Sequence, residues 1–411
     1  MKELTPRQTR FRFSLAYFVY DFTVAVSSFI VAFLQEQGVR TAHIGWIMSM
    51  ASVMGMLAPP LIGMLSDKIR SVKKVLIICL LLCGLLHAIT PAASHLSHGS
   101  VILLGALVAF ITLSRPNAGL MDSWIVSTAS RTPGMTYGTT RLWASLGYAI
   151  ASLGLTWMVA KLSLASTFYF YAIAAVATVF IFKVLPDDQS EIASKRSLSW
   201  KELDIGRLLK NYWIWTFLIF LTLRGVAMHC SGTFLSYLVQ DVGADVSLIG
   251  TINFLRALCE VPLLIFSNRL IKRFGQLRLL IFTGIVYMLG ELGYSMITSI
   301  GQLIAIQCCC GVCYGIFVAS YVQYTAVIAP EGLRNTTQTL AVALPSISGI
   351  IGNALGGWII EAVGLRTFYL LSASALAASV LFLLVSVPIG TRLLKQKLPE
   401  GVMGSVKNTC G

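Results

Sequence analysis

Eight charged side chains lie within long apolar stretches: Asp21, Arg115, Asp122, Arg141, Arg224, Arg256, Glu260 and Glu291. A charge at mid-bilayer costs at least ~3 kcal/mol on insertion scales, so such groups line a path for solute or protons, or pair with one another. Four cations facing four acids allow both readings. Desolvation disfavours the charged form of a carboxylate, which suits it to bind and release a proton. The spacing groups these residues further. Arg115 and Asp122 are seven apart and would share one helix face. Asn253, Arg256 and Glu260 form a similar stripe, and Arg224 lies five residues before His229. A lone His among apolar neighbours is more often a hydrogen-bonded packing residue than a functional one.

The elements that must hold these side chains are twelve apolar runs: 13–35, 43–66, 75–94, 100–128, 138–160, 167–185, 211–238, 246–267, 279–296, 300–328, 336–360 and 367–389. A spanning helix needs about 20 apolar residues, so each run is predicted to cross a bilayer, as helices 1 to 12. No ten-residue stretch alternates as a membrane β-strand would. The fold class expected is an all-α membrane protein. Hydrophobic residues make up 56% of the 411 positions and charged ones only 12%, which excludes an ordinary soluble domain.

The net charge of +14 is a topology signal and not a nucleic-acid footprint. Of the 31 Lys and Arg, 24 fall in the two tails and in the loops following helices 2, 4, 6, 8 and 10. Only Arg40, Lys161 and Arg366 occupy the opposite loops. That asymmetry is the positive-inside rule and puts both termini in the cytoplasm, with contact to anionic lipid. The first apolar run is too long for the core of a signal peptide, so it is expected to remain as helix 1. None of the nine cysteines falls in an outside loop, which argues against a disulfide framework. Cys308, Cys309, Cys310 and Cys313 mimic a metal cluster on paper, but in an apolar helix Cys behaves as a small hydrophobe. No metal or cofactor is expected.

The chain also repeats itself. Gln35-Glu36-Gln37-Gly38 with Ile44-Gly45 and Ile47 matches Gln240-Asp241-Val242-Gly243 with Ile249-Gly250 and Ile252, at an offset of 205. Ser66-Asp67-Lys68 matches Ser267-Asn268-Arg269 at 201, and Thr167-Phe168-Tyr169 matches Thr367-Phe368-Tyr369 at 200. Three ordered matches at nearly one offset indicate duplication. The domains expected are a six-helix bundle over 1–185, a cytoplasmic loop over 186–210, a second six-helix bundle over 211–390 and a cytoplasmic tail over 391–411. Repeated membrane halves suit alternating access around a site at mid-depth.

Gly63-Met64-Leu65-Ser66-Asp67-Lys68, followed by Arg70, Lys73 and Lys74, resembles the Gly-x-x-x-Asp-Arg/Lys loop signature of the major facilitator superfamily. The resemblance extends over the whole chain, with Ser267-Asn268-Arg269 as a degenerate second copy. It implies twelve transmembrane helices in two pseudo-symmetric halves. It also implies a gate latch at Gly63, Asp67, Lys68, Asn268 and Arg269, with Gly63 letting helix 2 approach a neighbour closely. Arg70, Lys73 and Lys74 are read as topology signals only.

Asp122 followed by Tyr137-Gly138-Thr139-Thr140-Arg141-Leu142-Trp143-Ala144-Ser145-Leu146-Gly147-Tyr148 resembles the lactose permease and phenylpropionate transporter branch. So does Glu260-Val261-Pro262-Leu263-Leu264-Ile265-Phe266-Ser267-Asn268-Arg269. That branch holds proton symporters of oligosaccharides, nucleosides and aromatic acids. The resemblance implies substrate binding by Asp122, Arg141 and Tyr148, with Arg115, Asn253 and Arg256 as further candidates. Asp122, Glu260 and Asp21 are the proton-coupling candidates, and a proton gradient is the energy source. Helices 1, 4, 7 and 10 line the cavity in this superfamily. Helix 9 is peripheral there, so Glu291 is expected to pair structurally. The lactose permease pattern of His and Glu in helix 10 is replaced by Gln307, Cys310 and Cys313, none of which can carry a proton in that manner.

Helix 10 contributes Tyr314, Tyr321, Gln323 and Tyr324; its aromatics suit stacking against a sugar or aromatic ring or an interfacial belt, and Tyr324 is assigned to the belt. Gly349, Gly352, Gly356 and Gly357 make a small-residue packing face on helix 11. Helix 5 lacks the Gly-Pro-x-x-Gly-Gly signature of drug:proton antiporters. The function expected is import of a small polar solute, a sugar, nucleoside or organic acid, by a monomer in the cytoplasmic membrane. The alternatives are an exporter of drugs or metabolites and a receptor that no longer transports. No nucleophile–base pair or metal cluster points to an enzyme.

Overall fold

In the computed structural model, residues 5–96, 100–116, 118–135, 137–186, 210–330, 334–396 and 402 are described. The central loop expected over 186–210 and the tail over 391–411 therefore fall largely outside the described residues. Eleven helices are long and apolar enough to cross a membrane, or twelve if one bent pair counts as a single span. Helix 1 is Pro6–Glu36, helix 2 Thr41–Ile69 and helix 3 Val72–Leu96. Helix 4 runs as Val101–Ser114 and Ala118–Arg131, helix 5 is Tyr137–Lys161 and helix 6 Ala165–Val184. Helix 7 runs as Tyr212–Thr233 and Leu235–Asp241, helix 8 is Leu248–Phe274 and helix 9 Gln276–Tyr294. Helices 10, 11 and 12 are Ile300–Ile328, Arg334–Val363 and Leu365–Pro388.

Local chemistry sets these limits. Thr5 and Gln8 form a capping box at the start of helix 1, with Pro6 in the first turn. The side chain of Asn211 accepts from the Trp213 and Ile214 amides to open helix 7. Gly275 and Gly364, at φ +82° and +89°, turn helix 8 into helix 9 and helix 11 into helix 12 without a loop, a conformation that only glycine adopts cheaply. Ahead of helix 8, Asp245 accepts hydrogen bonds from the Ser247 hydroxyl and amide, which hold its carboxyl below the usual carboxylate range.

Two predicted helices are not straight. Pro116 removes an amide and forces Arg115 out of the helical region, to ψ 131°, so helix 4 breaks there. Arg115 consequently ends one segment while Asp122 lies in the next, and the shared-face argument for that pair fails. Helix 8 bends by 59° between its Leu248–Leu263 and Phe266–Phe274 segments, with Pro262 at the bend.

The contacts define two compact units. One comprises Met1–Ser197 with Asp245–Phe254, and the other Leu198–Ala244 with Leu255–Gly411. Each repeats one packing scheme. In the first, helix 1 packs on helices 5 and 6, and helix 3 on helices 4 and 6. In the second, helix 7 packs on helices 11 and 12, and helix 9 on helices 10 and 12. The closest approaches repeat as well. A Cβ on Gly147 of helix 5 would fall on the Phe18 carbonyl of helix 1, and one on Gly352 of helix 11 would stand 2.7 Å from the Val226 carbonyl of helix 7. Those glycines are 205 residues apart, the offset of the longest sequence match. Gly63 meets nothing within 4 Å, so the close approach expected of helix 2 at that position is not made. Large apolar side chains such as Ile102, Trp157, Ile173, Phe180 and Trp358 are exposed, as a lipid-facing surface requires.

Lys73 has a structural task beyond its charge. Its Nζ donates to the carbonyls of Lys183 at 3.1 Å and Leu185 at 2.6 Å, and Arg12 donates to Val184 at 3.2 Å. Two cations thus serve the unpaired carbonyls at the end of helix 6. Gly147→Val should lower melting temperature in detergent sharply, since overpacking of this kind costs ~1–3 kcal/mol or more, whereas Gly63→Ala should leave it unchanged. Lys73→Met should lower stability by ~1 kcal/mol through loss of the helix 6 cap, read by the same melting assay.

Candidate functional site

In the first unit, helix 1 presents Tyr17 and Asp21 one turn apart to helices 4 and 5. The Tyr17 hydroxyl donates to the Asp122 carboxylate. Asp21 Oδ2 lies 3.7 Å from a guanidinium nitrogen of Arg141, and the Arg141 Cζ stands 5.3 Å from the centre of the Tyr17 ring. Asp21 is buried while Arg141 remains 46% exposed, so the guanidinium can exchange its partner for a solute. Tyr17 bridges the two residues that the sequence pattern singled out, Asp122 and Arg141. It stands at i−4 from Asp21, a spacing that would have identified it. Tyr20 donates to the Pro116 carbonyl at 3.0 Å and so closes the break in helix 4. Tyr148 is half-buried and shares the Arg141 face of helix 5 at i+7.

Arg115 is near enough to Asp21 and Tyr20 to act on them electrostatically, but no ion pair between Arg115 and either Asp21 or Asp122 is formed among the described residues. Arg115 lines a cavity of about 30 Å³ with Thr23, Ser27, Cys83, His87 and Tyr171, room enough for a water. The His87 ring stacks on Tyr171 with centroids 3.6 Å apart, and its Nδ1 is 2.8 Å from the Cys83 carbonyl.

The second unit holds a cavity of about 430 Å³. Its lining includes Arg224, His229, Arg256, Tyr314, Phe317 and Tyr321, and no carboxylate among the described residues. His229 is therefore a lining residue and not the packing residue expected. Arg224 is 7% exposed. Its Cζ stands 3.5 Å from the centre of the Phe317 ring and 4.7 Å from that of Tyr287, and its Nε has no hydrogen-bond partner. Among the described residues Arg224 forms no ion pair, and the two rings supply the attraction that a carboxylate would otherwise give. Arg256 Cζ lies 5.6 Å from the Tyr314 ring centre. Helix 10 reaches helix 8 here because a Cβ on Gly311 would stand 2.5 Å from the Arg256 carbonyl.

The remaining candidates fall elsewhere. Asn253 lies in the stretch of helix 8 that clusters with the first unit, and Arg256 in the stretch belonging to the second. Glu260 is half-buried on the same helix and does not line the cavity. Of the gate motif, Lys68 is exposed, and the side chain of Asp67 is outside the described residues. In the second copy, Asn268 Oδ1 accepts from Gln323 Nε2 at 2.8 Å, and Arg269 Cζ lies 5.6 Å from the Phe266 ring centre. Gln323 thus joins helix 10 to the motif end of helix 8 and does not line the cavity. Tyr324 is 1% exposed against Phe217, in the core and not in an interfacial belt. Glu291 is 1% exposed and forms no ion pair among the described residues; Ser231 and Ser372 flank it instead. The structural pairing expected of it is absent there. No cluster of three His, Cys, Asp or Glu placed as metal ligands occurs among the described residues.

A family model described as the MFS_1 like family matches residues 11–371. The chain belongs to that family. The maltose permease of Geobacillus stearothermophilus is 27% identical over 387 residues, 93% of each chain. The probable 3-phenylpropionic acid transporter of Escherichia coli (strain K12) is 25% identical over 379 residues, 89% of this chain and 95% of that one. The crystal structure of the nucleoside transporter NupG superposes with a TM-score of 0.75 at 17% identity, covering 92% of this chain and 99% of that one, a likeness of fold. The chain is thus a multi-pass membrane transporter with the twelve-helix fold of the superfamily, and it is not an enzyme. Tyr17→Phe should keep the ring beneath Arg141 but leave Asp122 without its donor, at a cost of ~1–3 kcal/mol for an unsatisfied buried group. A drop in melting temperature larger than that of Tyr148→Phe checks it.

Proposed function

We propose that this transporter is a proton-coupled importer of a small anionic solute carrying a ring, such as an aromatic carboxylate. The observation that carries the substrate class is Arg224, a buried guanidinium that has no carboxylate partner among the described residues, on the wall of a cavity of about 430 Å³. Arg256 lies on the same wall, and Tyr314, Phe317 and Tyr321 offer ring faces. Cavities of this volume take drug-sized and smaller ligands. A guanidinium donates a planar fork that matches a carboxylate. A neutral sugar would leave two cations uncompensated where water is scarce. An organic acid of this kind is one of the three substrate classes that the sequence pattern allows, and the one the lining chemistry favours.

Proton coupling follows from charge. An anion entering a cell with a negative interior climbs ~2.3 kcal/mol per 100 mV for each charge, and one accompanying proton cancels that cost. Asp21 and Asp122 in the first unit are the acids placed to take it, since Asp122 accepts from Tyr17 and Asp21 lies against Arg141. A proton on Asp21 would release Arg141 to bind solute, and its loss inside would restore the ion pair. The cytoplasmic membrane, with both termini inside, is the location that the charge asymmetry supports.

Export is the competing reading, and direction under an imposed gradient separates the two. Reconstituted protein is given an acidic exterior and labelled 3-phenylpropionate, uridine or maltose. Uptake of 3-phenylpropionate above protein-free vesicles, reduced at least tenfold in Arg224→Gln and in Asp21→Asn, is expected. Uptake of maltose or uridine alone, unchanged in Arg224→Gln, would overturn the anion reading. Efflux driven by the same gradient would establish the exporter.

A further inference from the structure

Glu291 lies outside every position that the resemblance assigns to coupling, yet it is the most deeply buried of the eight intramembrane charges. Its exposure is 1%, against 8% for Asp21 and 7% for Arg224. Helix 9 buries one long face comprising Thr283, Gly284, Tyr287, Gly290, Glu291 and Tyr294. The titratable groups facing the carboxyl from each packed element are Cys230 of helix 7, Cys310 of helix 10 and Tyr369 of helix 12, with Tyr294 on its own helix. Every one is neutral as a thiol or phenol. Ser231 and Ser372 can donate to the carboxyl, but its Oε2 has no hydrogen-bond partner. With no cation beside it among the described residues, a bare carboxylate here would pay several kcal/mol for leaving water, which suits the site to take up a proton.

The site is also joined to the cavity. Tyr287, one turn from Glu291 on the same face, carries Arg224 against its ring, and its hydroxyl donates to the Cys310 carbonyl at 3.0 Å. The Tyr294 hydroxyl reaches Cys310 Sγ at 3.9 Å. Ser231 lies two residues from His229, which lines the cavity. Among the described residues, an acid lacking a cation and a cation lacking an acid thus lie on either side of Tyr287.

A second observation comes from the repeat. Helix 3, the counterpart of helix 9 in the first unit, likewise buries a titratable side chain, His87. His87 is 2% exposed and packs on helix 6 as Glu291 faces helix 12. Each unit thus buries a titratable side chain on the corresponding helix of its repeat, beside small hydroxyl or thiol groups.

We propose that Glu291 is a proton-binding site of the second unit, taking a proton to its carboxylate before the solute binds at Arg224 and releasing it to the opposite side in each cycle. This supplies the group that helix 10 lacks, where Gln307, Cys310 and Cys313 stand. The assignment rests on the proton-coupled reading for its role in transport, while proton binding itself is measurable without any substrate.

Infrared difference spectra of the reconstituted full chain, recorded between acid and alkaline buffer, read carboxyl protonation directly. A buried carboxylic C=O band that titrates in the parent protein, is absent in Glu291→Gln and returns shifted in Glu291→Asp is expected. An unchanged titrating band in a folded Glu291→Gln variant would overturn the assignment. Transport gives the second arm, with 3-phenylpropionate as probe. Glu291→Gln should exchange labelled for unlabelled solute at a rate within threefold of the parent, yet lose at least tenfold in gradient-driven accumulation. Full accumulation by Glu291→Gln would overturn the coupling role. If the probe is not transported at all, the functional reading fails while the infrared titration still decides whether Glu291 binds a proton.

Discussion

Scarcity of water inside the bundle is the constraint from which the rest of this molecule follows. Each polar group there must find a partner in the protein or line a space that a polar visitor can enter. The hydroxyls satisfy it locally. Thr90, Thr112, Ser114, Thr128, Thr178 and Thr222 all donate to carbonyls one turn back along their own helices. Charges cannot be satisfied that way, and the protein treats them unequally. The first unit pairs Asp21 with Arg141 and gives Asp122 a tyrosine donor. The second sets Arg224 between two rings and Glu291 between two serines, with no opposite charge beside either among the described residues. That imbalance is the ground on which the anion and proton sites are proposed for the second unit.

Close packing supplies the positional accuracy. Helix pairs at a glycine approach so nearly that a single Cβ would collide with the facing backbone, at Gly147 on Phe18 and at Gly311 on Arg256. In the second case the residue whose carbonyl is approached is also the residue whose guanidinium lines the cavity. The small residue on helix 10 therefore fixes where a charge on helix 8 can point. Without a hydrophobic drive between helices in lipid, such contacts carry much of the association.

Much of the architecture was legible because bilayer thickness and charge asymmetry act on whole segments, and twelve runs of sufficient length could not be read otherwise. The duplication was legible in short matches, and the structure extends it to Gly147 and Gly352 at the same offset of 205. What remained hidden depended on direction. Pro116 was visible, but its breaking of helix 4, which separates Arg115 from Asp122, overrode the periodicity of an apolar run. Gly63 carried a familiar motif, yet it meets no neighbour. Lys73 read as topology because a sequence shows no carbonyls at the end of helix 6. Tyr17 was passed over because aromatics are ordinary in membrane helices, although its spacing from Asp21 was available. His229 and Tyr324 exchanged roles, one to the cavity and one to the core, since an almost uniformly apolar helix gives no amphipathic phase from which to orient a side chain.

The contrast between the two units bears on how one chain can bind an anion and still release it. An arginine with a permanent carboxylate partner offers solute only what it gains by breaking that pair, which favours exchange. An arginine without one holds an anion until the surrounding charge changes. Arg141 is of the first kind and Arg224 of the second. In the proposed cycle a proton on Asp21 frees the first guanidinium, and Glu291 takes and gives up its proton one helical turn from Tyr287, the ring on which Arg224 rests. In that reading one protonation change in each unit accompanies the alternation of access. Duplication made the two units alike in packing. Divergence in the polar residues gave them complementary work.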